Sequence, residues 1–405
     1  MSIITVFNGL FSEAGLVVKR VLDGSGYRLI TDQEIVADAA NLSGMAEGRI
    51  ARAFQAKASV FNSFNHEKER AVAWLRLAMA NKLMDGEGLL FSGFASQLPP
   101  ADIRHILRVC LISGVKDRLA VAARDEGYAE KHAAKIIRKD DEDRAAWVKT
   151  LTGADDPWAE TLYDMVVPVG ATGVDQSASL ILEHLDDAAI AATPASRAKV
   201  ADFLLAAKVE TVLAAEGHSV QVSADAGAVT LTINKHVLML ERLERELADI
   251  ASPVDGVKSV VTAVGKGYHQ TDIYRQVDFE IPSKVLLVDD EREFVQTLSE
   301  RLMMRDMGSA VVYDGESALN LVREDEPEVM ILDLKMPGID GIEVLRRVKK
   351  EHPLVEVIIL TGHGSEKDRE TCMELGAFAY LHKPVDIEVL SQTLKAANDK
   401  IRTGK

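Results

Sequence analysis

The chain has 405 residues, a formal net charge of -16, 47% hydrophobic content and 11 prolines, which describes two to four globular domains without a long disordered arm. No portion is strongly basic, so neither a non-specific nucleic-acid surface nor an anionic-membrane surface is expected. Cys110 and Cys372 stand apart with no metal-ligand spacing, no apolar run approaches the ~18 residues of a membrane span, and the first residues lack a basic secretory start, so a cytoplasmic protein is expected.

In chain order, residues 3–6 predict a strand, followed by a loop holding Gly9 and Gly15 and a helix through Arg20. Strand, glycine loop and helix is the order in which backbone amides hold phosphate. Here the loop lacks the GxxxxGK[ST] pattern, and Glu13 would bring negative charge to any phosphate. Residues 107–112 read as a strand with Cys110 in its core, and Asp140 and Arg144, four apart, read as a surface ion pair on a helix. Thr193-Pro194-Ala195-Ser196 reads as a linker and N-cap before a helix over 197–215. Strands are predicted over 218–222 and 228–233 around the Asp225-Ala226-Gly227 turn, then a helix over 238–250 and a third strand after Pro253. Ile281-Pro282-Ser283 marks the next boundary.

Beyond it, apolar runs at 285–288, 329–332, 357–360 and 378–381 alternate with amphipathic stretches and read as buried parallel strands. They end in Asp289 and Asp290, in Asp333, in Thr361, and in His382-Lys383-Pro384. Open α/β sheets collect functional groups at the carboxyl ends of such strands, so three carboxylates, a hydroxyl and an ammonium should converge on one edge. Three crowded carboxylates repel one another unless a divalent cation is bound, and Mg2+ meets that need with oxygen ligands. Asp333 is then a nucleophile able to form an acyl phosphate, with Lys383 and Thr361 as partners for phosphoryl oxygens. Taken singly, Asp at a strand end begins a turn and Lys-Pro closes one.

From about Lys284 onward the chain resembles the receiver domain of two-component response regulators, through Val288-Asp289-Asp290, Asp333-Leu334-Lys335-Met336-Pro337-Gly338-Ile339-Asp340-Gly341, Leu360-Thr361-Gly362 and Lys383-Pro384. The resemblance implies a flavodoxin-like, doubly wound, five-stranded parallel fold. It further implies phosphoacceptor Asp333, Mg2+ ligands Asp289, Asp290, Asp333 and the Lys335 backbone carbonyl, switch residues Thr361 and Tyr380, and Lys383. The implied partner is a sensor histidine kinase or phosphotransfer protein.

Residues 1–190 resemble the cytidylate-kinase-like family of P-loop proteins, an α/β fold. The resemblance rests on the opening strand and loop, Gly26-Tyr27, residues 31–35, Asp117-Arg118, residues 137–144 and residues 163–167. It implies that Arg118, Arg138 and Arg144, with Gly9 and Gly15, surround nucleotide phosphates. Ser12-Glu13-Ala14-Gly15 and Ser92-Gly93-Phe94-Ala95 replace glycine-rich pieces of the family, so lost catalysis is expected. Residues 194–281 resemble a BON-type α+β domain through residues 228–231 and 254–257, which implies a binding or self-associating module.

Three functions therefore stay open: a response regulator in receiver domain 283–405 acting on a kinase-like module, a receiver-gated nucleoside-monophosphate kinase, and a non-catalytic adaptor. No direct nucleic-acid contact is expected in any of them.

Overall fold

The computed structural model describes residues 2–57, 66–185, 187–237, 239–265, 268, 282, 284–305, 307–362 and 364–403. The expected boundary residues Ile281 and Ser283 lie outside them. Apart from residues 66 and 67, which group with the second, the described chain divides into two compact units, one of residues up to 268 and one from 282 onward.

In the N-terminal unit, five parallel strands, β1 (Ile3–Asn8), β2 (Arg28–Thr31), β3 (Leu89–Ser92), β4 (Ile106–Ile112) and β5 (Met165–Pro168), form a sheet in the order β2-β3-β1-β4-β5. The central strand shows why this sheet is buried on both faces. Ile3 and Phe7 enter one core with Ile30, Phe91 and Trp147, whereas Ile4 and Val6 enter the other with Leu90, Leu107 and Val167, the period of two that a pleated strand imposes. Cys110 is fully buried in β4, as expected, and burial pushes its thiol up to about 12.

The same unit contains a three-stranded sheet, β6 (Gln221–Asp225), β7 (Ala228–Ile233) and β8 (Ser259–Val264), with β6 antiparallel and β8 parallel to β7. Ala226 and Gly227 join β6 to β7 with φ of 49° and 95°, the left-handed pair that a two-residue hairpin requires. The helix Pro194–Ala215 opens on a capping box between Thr193 and Ser196. Its Val200, Phe203 and Ala207 pack into the core of Phe91 and Trp147, while its Leu205, Val209 and Leu213 pack under β7 with Leu247. A helix apolar on opposite sides is buried on both. The expected division at Thr193 thus falls inside one compact unit that shares this helix.

In the C-terminal unit, β9 (Val285–Val288), β10 (Ser309–Val312), β11 (Val329–Leu332), β12 (Glu356–Thr361) and β13 (Ala379–His382) form a parallel sheet in the order β10-β9-β11-β12-β13. Relative to this unit alone the order is 2-1-3-4-5, the doubly wound arrangement whose chain reversal lies between the first and third strands. β9 and β11 are buried at every position and pack on both sides into separate apolar clusters. The edge strand β10 had no counterpart among the predicted runs.

Candidate functional site

The register of the C-terminal sheet aligns its strand ends. Val288 pairs with Leu332 and Thr361 with His382, so Asp289, Asp333 and Lys383 leave the sheet side by side. The Asp333 N–H donates to Val288 O at 3.0 Å, and the Lys383 N–H to Thr361 O at 3.0 Å, which ties each side chain to a fixed backbone. The Lys383–Pro384 peptide is cis.

Carboxylate oxygens of Asp289, Asp290 and Asp333 all lie within 4.8 Å of one another. Asp289 and Asp333 are 4% and 5% exposed, while Asp290 is open to solvent. Lys383 Nζ lies 2.6 Å from Asp289 Oδ2, 2.9 Å from Glu291 Oε1 and 3.6 Å from Asp333 Oδ2. Burial pushes the Asp289 carboxyl up, against the bonds from Lys383 and the Glu291 N–H that favour its charge. Burial also opposes the Lys383 ammonium, but its bonds to Asp289 and Glu291 outweigh this and raise it, so it stays charged. Asp333 Oδ1 accepts the Leu334 N–H at 2.7 Å, which leaves Oδ2 facing the ammonium.

One ammonium cannot neutralise three converging carboxylates. Hard oxygen donors at this spacing, one edge open to water, fit Mg2+, which takes oxygen ligands and keeps several waters. Lys335, two residues beyond Asp333, is exposed on the loop at the same edge. Glu291 was not anticipated as a partner of Lys383, although it directly follows the Asp289-Asp290 pair.

Thr361 is fully buried at the end of β12. The Tyr380 hydroxyl is buried without a hydrogen-bond partner among the described residues, and burial raises it. A Cβ added at Gly364 would lie 1.7 Å from this hydroxyl and 3.2 Å from Thr361 Cγ2, so the phenol occupies space that glycine leaves open. Gly364→Ala should therefore swing the Tyr380 ring outward, because the obstructed atom ends a flexible side chain. NMR titration of Tyr380 should then move from its raised position toward the ordinary tyrosine value of about 10. An unchanged titration would show that the ring does not depend on that space.

The arginines expected around phosphate part company. Arg118 and Arg144 come to the first loop and are 5% and 6% exposed. Arg118 Nε donates to Leu10 O at 2.7 Å, and its Nη1 and Nη2 donate to Asp141 at 2.9 and 2.8 Å. Arg144 Nε donates to Asp140 Oδ2 at 2.6 Å, and its guanidinium lies 4.4 Å over the Phe94 ring. The Asp140–Arg144 pair expected at the surface is thus largely buried, with side chains 17% and 7% exposed, because the helix Glu130–Thr152 packs this face against the first loop. Arg138 points away and pairs with Glu142 in solvent. Gly9 lies against Arg118, where an added Cβ would meet Cζ at 3.2 Å, whereas Gly15 has open space around it. Glu13 is held by Arg124 at 2.9 Å.

Residues 285–395 match the family described as response regulator receiver domain, and residues 3–171 match the cytidylate kinase-like family. The probable transcriptional regulator ycf27 of Guillardia theta is 40% identical over 120 residues, 30% of this chain and 47% of that protein. The transcriptional regulatory protein CpxR of Escherichia coli strain K12 is 41% identical over 114 residues, 28% of this chain and 48% of that protein. The chain thus spans about half the length of the curated relatives it matches. A response regulator receiver domain protein from Clostridium thermocellum is 33% identical, covering 30% of this chain and 98% of that structure, with a TM-score of 0.29. No described helix is long and apolar enough to cross a membrane.

Proposed function

We propose, from the premise that residues 285–395 are a response regulator receiver domain and that residues 3–171 have a cytidylate kinase-like fold, that this chain is a two-component response regulator phosphorylated on Asp333. The observation that carries the reading is the convergence of Asp289, Asp290 and Asp333 with Lys383 at one sheet edge.

Asp333 Oδ2 attacks the phosphorus of a phosphohistidine on a partner histidine kinase or phosphotransfer protein. The P–N bond breaks, its electron pair and a proton go to the leaving imidazole, and an acyl phosphate forms on Asp333. Lys383, which already faces Asp333 Oδ2, pairs with a phosphoryl oxygen, and the Thr361 hydroxyl donates to another. Mg2+ held by Asp289, Asp290, Asp333 and the Lys335 carbonyl supplies neutralisation of the charge that develops during transfer. Movement at Thr361 and Tyr380 then changes the exposed face of the receiver, and the N-terminal unit, including its BON-like portion as a binding or self-associating module, reads that change. Such a switch needs a surface with different affinity in the two states.

A receiver-gated nucleoside-monophosphate kinase is less well supported, since Arg118 and Arg144 are already committed to Asp141 and Asp140. Incubating the full chain with Mg2+ and acetyl phosphate should add one phosphoryl group by intact mass, and Asp333→Asn should add none. Equal uptake by the Asn variant would sink the assignment.

A further inference from the structure

We infer that Asp140 and Asp141 act as a built-in anion: their carboxylates occupy the Leu10 amide of the first loop and the guanidinium donors of Arg144 and Arg118 that a phosphate would use, and so hold that loop closed to phosphate-bearing ligands.

A strand, a loop and a helix N-terminus present backbone amides to an anion, and arginines complete such a cradle with forked donors. A loop amide and two arginines are here, and two neighbouring acidic side chains from a distant helix take them. The Leu10 N–H donates to Asp140 Oδ2 at 3.2 Å, across 130 residues of sequence. The same carboxylate accepts Arg144 Nε at 2.6 Å and Nη2 at 3.3 Å. Asp141 receives the full fork of Arg118, whose Nε reaches back to the loop at Leu10 O. Loop amide, Asp140 and Arg144 therefore form one chain of bonds, and Arg118 with Asp141 forms a second beside it.

An ordinary helix-surface pair would not need the loop amide, and it would not be buried. Here the two arginine side chains are 6% and 7% exposed. Burying guanidinium groups is costly unless each is paired with a carboxylate, so the acidic residues are required as long as no other anion is present.

A second, independent observation points to what they replace. Arg144 Nη1 is buried and has no hydrogen-bond partner among the described residues. A carboxylate offers two oxygens, whereas a phosphoryl group offers three, and the internal substitute leaves one buried donor unfilled. Opening the loop to phosphate requires that Asp140 leave the Leu10 amide, and the apparent affinity for any phosphate ligand is reduced by the fraction of molecules in which it has done so.

The inference concerns the N-terminal unit and does not depend on phosphorylation of Asp333. It is tested on the full chain without phosphodonor, by calorimetric titration with inorganic pyrophosphate. Asp140→Asn combined with Asp141→Asn keeps side-chain size and removes both charges. The double variant should bind pyrophosphate roughly tenfold to a hundredfold more tightly than the unaltered chain. Equal affinities, or a folded double variant that does not bind, would overturn the proposal. Amide resonances give a second measurement that needs no variant. In the unaltered chain those of Gly9 and Leu10 should stay in place up to about 1 mM pyrophosphate, and shifts at these two residues that saturate well below it would contradict the closed loop even if the double variant failed to fold.

Discussion

Gly341→Ala should destabilise the C-terminal unit by about 2–3 kcal/mol, the upper part of the range for forced overpacking, and should abolish phosphoryl uptake at Asp333. A Cβ at this position would lie 2.2 Å from Asp333 O and 2.8 Å from Leu334 Cα. Both are backbone atoms, so no side chain can turn aside to make room. Gly341 also donates its N–H to Leu334 O at 3.1 Å and begins the helix Gly341–Glu351, whose N-cap Asp340 accepts from the Ile342 N–H. The added methyl must therefore push apart the helix start and the loop carrying Asp333, and the carboxylate leaves the position that β11 gives it. Gly362→Ala is the control, because its added Cβ would meet nothing closer than Lys383 Cβ at 3.9 Å, an ordinary contact. Urea unfolding of both variants measures the difference, and a Gly341→Ala midpoint equal to that of the control would show that the helix start has slack.

Lys383→Ala has the second large effect, and its size depends on the cation. Removing the ammonium leaves Asp289, 4% exposed, beside Asp333 with no positive neighbour at 2.6 Å. Breaking a buried pair from one side costs about 3 kcal/mol or more, since the remaining charge is left uncompensated. A divalent cation among the same carboxylates supplies the missing charge, so saturating Mg2+ should restore part of that loss and should stabilise the variant more than the unaltered chain. Chemical unfolding with Mg2+ or with chelator checks this. A variant insensitive to Mg2+ would mean that the three carboxylates do not form a cation site.

The convergence of Asp289, Asp290, Asp333 and Lys383 was legible in the sequence because each of them ends or follows a short apolar run. Once Val285–Val288 and Val329–Leu332 are taken as buried parallel strands, topology alone brings Asp289 and Asp333 together. What escaped had no local signature. Strand β10 is half-exposed along its whole length and opens on Ser309 and Ala310, so its apolar pattern is weak. Glu291 lies beside the acidic pair, but only the folded chain shows that Lys383, 92 residues away, reaches it. The helix Pro194–Ala215 is apolar on two sides, which periodicity reads as one helix and not as a wall shared by two cores. The bond from Leu10 to Asp140 joins residues that no spacing rule connects, and so an arginine cluster expected to face phosphate proved to be filled by the chain's own carboxylates.

The central claim is that Asp333 itself carries the phosphoryl group, and borohydride reduction followed by peptide mass mapping tests it most directly. An acyl phosphate on aspartate is reduced to homoserine, whereas phosphate esters on serine or threonine survive. After incubation with Mg2+ and acetyl phosphate, homoserine is predicted at position 333 and nowhere else, and not at all when Mg2+ is chelated. Homoserine at position 289 or 290, or an adduct that resists borohydride, would contradict the account.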